Sequence, residues 1–496
     1  MHCRITTLFA LAAVVLTNLV LNATARYIPA QLSDPHGKAR DATKPVKVYI
    51  LAGQSNMLPM GNVSGGNSRH SGFYQSADAD AAKGVAVSVY EGKYDPDTDY
   101  DKLTAKTTKT VVYDGMGTDP FPKADGETTY VARGFIEVKT SGIYVFSPGY
   151  QGSTYNIMEL EGREVYRKEP GKEAVRVPTK MTGGKRYPFK VTFLTKAANG
   201  LFWVGRTDIP GTLDTVVKQQ NKFPYLLGKD GNWVVRDDVL YQDARLHGGW
   251  NWDPNDQNKM LLDEAKLKAA CRPLTVESNG IWVGVPFGCY LGDYHDEQVL
   301  IIRTAIGNRG LAWDFRPPSS GKLPDIPEHL KKWEGAEYYM MIEGVRKTLE
   351  NIDQVVPNYQ GQGYELAGFV WWQGHKDTGN GQWAELYEQN LANLIKDVRA
   401  ELKTPKLPVM IATVGFGGHE MAGGTLKVWE AQMAIGDPKK HPEFAGTVKT
   451  VDTRDFWRSA EESPSGQGYH YNRNAETYVL VGEALGRGMV KLLEGQ

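Results

Sequence analysis

Val46-Lys47-Val48-Tyr49-Ile50-Leu51-Ala52-Gly53-Gln54-Ser55-Asn56-Met57 is the stretch on which the reading of this chain turns. Apart from Lys47, residues 46–52 are β-branched or apolar, the signature of a buried strand, and Gly53 opens a tight turn. A serine hydroxyl there stands at the end of a sheet strand, although the turn is not a Gly-x-Ser-x-Gly elbow. Similar runs recur downstream: Gln298 to Ile306 ending at Gly307, Leu366 to Trp372 before Gln373-Gly374, and Leu407 to Val414 before Gly415-Phe416-Gly417-Gly418. Between them Trp383, Leu386, Leu391, Leu394, Ile395, Val398 and Leu402 share one helical face, and Tyr338 to Ile352 and Thr477 to Leu493 are patterned alike. Strands alternating with helices imply an α/β fold with a three-layer, doubly wound parallel sheet. Its ligand crevice lies beyond the carboxyl ends of the strands.

Between Val85 and Thr212 no helical period persists. Short alternating runs, among them Thr129 to Val138, Gly142 to Phe146, Tyr155 to Leu160, Tyr187 to Leu194 and Leu201 to Val204, predict an antiparallel β-sandwich. The expected organisation is a signal segment over 1–25, a discontinuous α/β domain over 44–84 and 213–492, and the sandwich inserted over 85–212. Domain termini often lie close together, so such an insertion is tolerated.

The 496 residues carry 57 Lys+Arg against 58 Asp+Glu, a balance that gives nucleic acid no electrostatic footprint. Hydrophobic residues at 41% and charged residues at 23% exclude a disordered chain and allow a large core. At the start, Arg4 precedes an apolar run from Ile5 to Leu21 and the small residues Ala23-Thr24-Ala25. This reads as a cleaved secretory signal, so the protein is expected to be secreted or periplasmic, with no stable membrane insertion after cleavage. The alternative is an N-terminal anchor, since the run is just long enough to span a bilayer. Beyond it two cysteines remain, Cys271 and Cys289, as one disulfide or two buried thiols.

Four features supply chemistry. Ser55 is the candidate nucleophile. His470, in the loop Gly468-Tyr469-His470-Tyr471-Asn472 before the final helix, is a candidate general base able to take and return a proton near neutral pH. Gly307 ends a strand, where a backbone N–H can approach a substrate closely, and Gln373 offers a side-chain amide, so both are candidate oxyanion donors with the Ser55 N–H.

In this order the four features resemble the marker blocks of the SGNH hydrolases, most closely the sialate O-acetylesterase-like branch that includes acetylxylan esterases. That branch's Gly-Gln-Ser-Asn is matched at 53–56 and its Trp-x-Gln-Gly-Glu at 371–374, with His375 where Glu is usual. Its second block is matched at Ile306-Gly307, with Asn308 where a second Gly is usual. The segments Tyr130 to Phe135 and Ser141 to Phe146 resemble the protective-antigen-type sandwich found in secreted carbohydrate enzymes. The resemblance implies a serine esterase that removes O-acetyl groups from a poly- or oligosaccharide of sialate or xylan type, without a cofactor.

Many relatives place Asp three residues before the catalytic histidine; here that position is Gln467. Either Ser55 and His470 act as a dyad, with Gln467 fixing the imidazole tautomer, or Asp377, Asp452 or Asp455 is the third member. Asn56, Asn308, Trp313, Trp372 and His375 are expected to contact substrate, since flat aromatic faces suit sugar rings. No metal constellation occurs, and Asp293, His295, Asp296 and Glu297 read as a solvated loop. The alternative to an esterase is a carbohydrate-binding surface protein whose hydrolase core has lost catalytic power, suggested by Gln467 and His375.

Overall fold

The computed structural model describes residues 40–495 apart from 65–69, 93, 96, 113–121, 123–125, 139–140, 150–154, 196–200, 207–208, 245–270, 278–279, 324–327 and 332. The signal segment expected over 1–25 lies outside the described residues. Among the described residues seven strands form the central sheet: β1 (Val46–Gly53), β2 (Val235–Asp243), β3 (Arg272–Thr275), β4 (Val299–Ala305), β5 (Tyr364–Trp372), β6 (Val409–Ala412) and β7 (Val448–Val451). Their order is β3-β2-β4-β1-β5-β6-β7, and every pairing is parallel except that of β2 with β3. Strand β1 lies between β4 and β5, so its carboxyl end is a point where connections diverge to either side. The register sets Gly53 level with Ala305 on one side and Trp372 on the other. The turns carrying Ser55, Gly307 and Gln373 therefore leave the sheet at one height.

Among the described residues the five longer helices are α1 (Gly284–Tyr294), α2 (Ala336–Glu350), α3 (Gly381–Glu401), α4 (Gly423–Ile435) and α5 (Ala475–Leu493). Alternate residues of β1 point to opposite faces. Val48, Ile50 and Ala52 join a core with α2, α3 and α4, and Tyr49 and Leu51 join a second core with α1 and α5. Each fully buried aliphatic side chain contributes about 1.5–3 kcal/mol, so two cores fix the sheet and with it the turns at its carboxyl end. Asparagine caps start two helices: the Asn380 side chain accepts from Trp383 N–H and that of Asn474 from Thr477 N–H. Among the described residues no helix is long and apolar enough to cross a membrane.

Cys271 and Cys289 are both buried and free. They belong to the cores on opposite faces of the sheet, which precludes a bond between them. Asp296 is exposed, as expected of a solvated loop over 293–297, but Asp293 and His295 depart from it. Asp293 pairs with the buried Arg236, and His295 is buried with Nε2 2.7 Å from the Tyr49 hydroxyl, because this segment closes the amino end of the sheet.

The remaining strands are antiparallel. One sheet runs, in spatial order, through Thr107–Val111, Val85–Glu91, Thr128–Val138, Arg186–Thr195, Tyr155–Leu160, Arg163–Lys168 and Val175–Arg176. The other holds Thr179–Met181, Gly142–Gly149 and Leu201–Arg206. His70–Tyr74 pairs with Thr128–Val138, so this part of the molecule also draws on residues before Val85. A third core takes Tyr144, Phe146 and Met181 from the small sheet and Val87, Tyr130, Met158 and Val191 from the large one. Where the chain leaves for these sheets and where it returns it is hydrogen-bonded to itself: Leu213 N–H donates to Asn62 O and Asp214 N–H to Val63 O.

Candidate active site

Gly53 has φ +151, and a Cβ there would overlap the Trp372 carbonyl oxygen, so only glycine lets β1 turn this close to β5. Ser55 follows in a single helical turn, Ser55–Met57, and is 6% exposed. Its Oγ lies 2.9 Å from His470 Nε2, the separation of a hydroxyl donating to a neutral imidazole. Two residues 415 positions apart are thus brought within proton-transfer reach.

His470 is held by strain and hydrogen bonds together. Tyr471, Asn472 and Arg473 take φ of 49°, 53° and 56°, three consecutive left-handed residues at about 1–2 kcal/mol each. Several bonds hold this turn: Gly415 N–H donates to Tyr471 Oη at 2.9 Å, Asn62 N–H to Arg473 O, Ala475 N–H to Gly211 O, and Asn472 Nδ2 to Arg458 O. Asn56, expected at the substrate, is instead a buried strut of this loop. Its Nδ2 donates to Tyr469 O at 3.1 Å and its Oδ1 accepts from the Tyr478 hydroxyl at 3.0 Å.

Of the four candidates for a third member, only Gln467 reaches the imidazole. Its Oε1 stands 3.5 Å from His470 Nδ1, a long hydrogen bond, and accepts from Arg473 Nε at 2.8 Å. Asp452 is held by Arg454 and Trp429, and Asp455 pairs with His419 on the surface. Asp377 is wholly buried and accepts from Leu311 N–H, Ala312 N–H and Gln373 Nε2. It ties the segment after Gly307 to the segment after β5, and burial raises its pKa to about 6. Burial, then Arg473, then His375 push the His470 pKa down to about 4, so the imidazole is a free base at neutral pH.

The Ser55 and Gly307 backbone N–H groups are donated to no acceptor among the described residues. A methyl group added at Gly307 would lie 3.6 Å from Ser55 Cβ, so this backbone lines the nucleophile. Asn308 adopts φ 59 at the exposed rim, which explains how Asn replaces Gly there. Gln373 does not supply the third oxyanion donor expected of it. The two hydrogens of its Nε2 are already shared among Gln54 Oε1, Arg309 O and Asp377 Oδ2. Gln54 carries a role the sequence reading missed: its buried Oε1 also accepts from Gly374 and Lys376 N–H, locking the nucleophile turn to the loop after β5.

His375 is half-buried and stacks on Tyr469, with ring centroids 5.0 Å apart and planes at 22°, and Tyr469 lies 4.4 Å from the His470 ring. The three rings form one wall beside the Ser55 hydroxyl, and burial together with Lys376 lowers the pKa of His375. Trp313 and Trp383, both half-buried, sit 6.3 Å apart beyond Gly310. Trp372, expected at the substrate, is core: it is 1% exposed, donates Nε1–H to Thr413 O and packs on Tyr471 and Tyr478. Among the described residues no three His, Cys, Asp or Glu side chains are grouped to hold a metal ion.

Residues 249–491 match the family described as SASA, carbohydrate esterase, sialic acid-specific acetylesterase. A probable carbohydrate esterase of Arabidopsis thaliana is 32% identical over 221 residues, spanning 42% of this chain and 74% of the relative. Among solved structures, a carbohydrate acetylesterase of Xanthomonas citri is 14% identical over 72% of this chain and 73% of its own, with a TM-score of 0.36. A family two carbohydrate esterase of Cellvibrio japonicus is 10% identical over 75% and 95%, with a TM-score of 0.26.

Proposed function

The chain belongs to the sialic acid-specific acetylesterase family of carbohydrate esterases, and we propose that it removes O-acetyl groups from a saccharide through an acetyl-Ser55 intermediate. The 2.9 Å contact between Ser55 Oγ and His470 Nε2 at the carboxyl end of β1 carries this reading. His470 takes the hydroxyl proton as Oγ attacks the acetyl carbonyl carbon. The resulting imidazolium gives that proton to the departing sugar oxygen as the ester C–O bond breaks. Water, deprotonated by the same imidazole, then attacks acetyl-Ser55 and releases acetate, returning the proton to Oγ.

Negative charge on the tetrahedral oxygen falls to the Ser55 and Gly307 N–H groups, each donor of this kind supplying about 10²–10³ in kcat. The third member is the neutral Gln467 amide, which orients the imidazole but leaves its positive form uncompensated. The wall of His375 and Tyr469 stands beside the Ser55 hydroxyl where a bound ester can meet it, and Trp313 with Trp383 offers flat faces for a sugar ring of sialate or xylan type. The shared core of the two antiparallel sheets and the paired exit and return of the chain support reading them as one inserted β-sandwich that shapes the cleft or binds polysaccharide. Export fits the apolar N-terminal segment.

A rapid-quench digest tests the intermediate. Mass spectrometry of protein mixed with a chromogenic acetate ester is expected to find an acetyl group on the Ser55 peptide alone. Turnover with acetyl found only elsewhere, or none on any serine, refutes the acetyl-serine route. The weakened-core reading, which rests on Gln467 with its long contact to the imidazole and on His375, requires no turnover by folded protein that still binds polysaccharide.

A further inference from the structure

Four arginines are less than 9% exposed as whole residues among the described residues: Arg236 at 2%, Arg303 at 4%, and Arg316 and Arg399 at 7% each. The first three are paired: Arg236 with Asp238 and Asp293, Arg303 with Asp243 and Glu277, and Arg316 with Glu334 at 3.5 Å. Arg399 has no carboxylate within 4 Å among the described residues. Its Nε and one terminal nitrogen donate to Leu407 O, and the latter also reaches Thr447 O. A buried cation without a counter-ion is costly, and burial pushes this guanidinium below the usual arginine value.

Arg399 lines a cavity of about 380 Å³ near the amino ends of β6 and β7, at the end of the sheet opposite Ser55. Exposed Lys396 and Lys403 line it too, with Glu443 as its acidic member and the Phe444 ring in its wall. Lys396 pairs with Glu443 at 3.3 Å, and Lys403 has no ion pair among the described residues. Phe444 faces both cations, with Arg399 Cζ 5.6 Å and Lys396 Nζ 5.7 Å from its centroid. Three cations against one carboxylate leave a net charge near +2, which matches a dianion. With Nε and one terminal nitrogen given to backbone carbonyls, Arg399 has its other terminal nitrogen for an oxyanion, the two lysine ammonium groups can add charge-assisted bonds, and the ring in the wall suits a sugar carrying the anion.

We propose that this cavity is a binding site for a dianionic tetrahedral oxyanion of the phosphate or sulfate class, free or as an ester on a saccharide. It is separate from the ester-cleaving cleft and independent of the reading given to that cleft.

Isothermal titration calorimetry on the full chain at low ionic strength, with inorganic phosphate and inorganic sulfate, tests it. Saturable binding by the wild type is expected, weakened at least about tenfold in the Lys396→Gln, Lys403→Gln double variant, since charge-assisted bonds lost from an anion are worth that much or more. Both lysines are exposed, so the variant should keep the wild type's circular dichroism spectrum and thermal unfolding midpoint, which serve as the control for folding. A sugar sulfate binding tighter than free sulfate, with the parent sugar silent, identifies the ester as the natural form; equal affinities identify the free ion. No saturable binding by the wild type, or the same affinity in the double variant, overturns the site and leaves Arg399 as a brace for the Leu407 and Thr447 carbonyls.

Discussion

Exchanging Gln467 for glutamate replaces one amide by a carboxylate of the same size at the point where His470 is oriented. The oxygen would keep its place 3.5 Å from Nδ1 and 2.8 Å from Arg473 Nε. With an effective dielectric of about 20, unit charges 3.5 Å apart attract by about 5 kcal/mol. Arg473 shares that oxygen and the imidazole is partly exposed, so the effect on His470 is smaller, an upward move of about 1–3 pKa units from its value of about 4. The assay is the pH dependence of kcat/KM on a chromogenic acetate ester, whose acid limb reports the free enzyme's base. The wild type should lose activity near pH 4, and the Gln467→Glu variant at a pH about 1–3 units higher. On the alkaline plateau the variant should be faster by about 10–100-fold, part of the roughly 10⁴ that a serine protease loses without its orienting carboxylate. An acid limb that stays in place in the variant would refute the assignment of Gln467 as the group facing the imidazole.

The other predictions concern the frame around the dyad. Gly53→Ala puts a methyl group into the Trp372 carbonyl and should cost about 3 kcal/mol or more in urea unfolding, with a loss near zero counting against the strained turn. Asp377→Asn leaves at least one of three buried N–H donors without an acceptor, so about 2–4 kcal/mol of stability and a kcat loss greater than any KM change are expected; unaltered kcat would detach Asp377 from the Gly307 segment. Because burial raises the Asp377 pKa to about 6, the native state holds that proton more tightly than the unfolded chain, and stability falls as pH rises from about 4 to 6. Unfolding curves of Asp377→Asn should lack that slope. Asn56→Ala frees the loop bearing His470 and should lower kcat while the Ser55 peptide remains acetylatable; a kcat equal to wild type removes the strut.

Strands β1, β4, β5 and β6 are legible because they are mostly buried on both faces and read as largely apolar runs. Strand β2 is not, since Val235-Arg236-Asp237-Asp238 looks solvated, yet Arg236 and Asp238 neutralise each other in the interior. Helix α1 hides behind Gly284, Gly288, Gly292 and Pro286; at Gly288 the Leu274 side chain occupies the space a Cβ would need, so the glycines that obscure the helix are what let it pack. In the site, Ser55, Gly307 and His470 follow from the order of the blocks along the chain. What escapes sequence is which polar atoms meet. Gln54 and Gln373 are both glutamines in strand-end turns, and only the register of β1 against β5 shows that both are spent on scaffolding. Trp372 looks like a sugar platform beside its motif, but strand alternation turns it into the core with α5. Arg473 sits three residues beyond His470 and returns to its orienting group only because three left-handed residues fold the chain back.

The most direct test of the account is acetate release from acetylated xylan, acetylated sialic acid and a chromogenic acetate ester by the wild type, Ser55→Ala and His470→Ala. Release by the wild type from at least one acetylated saccharide is expected, with a fall of at least about 10³ in kcat in each variant and the double variant little worse than either. Release undiminished in Ser55→Ala, or none from any saccharide by folded wild type, would contradict it.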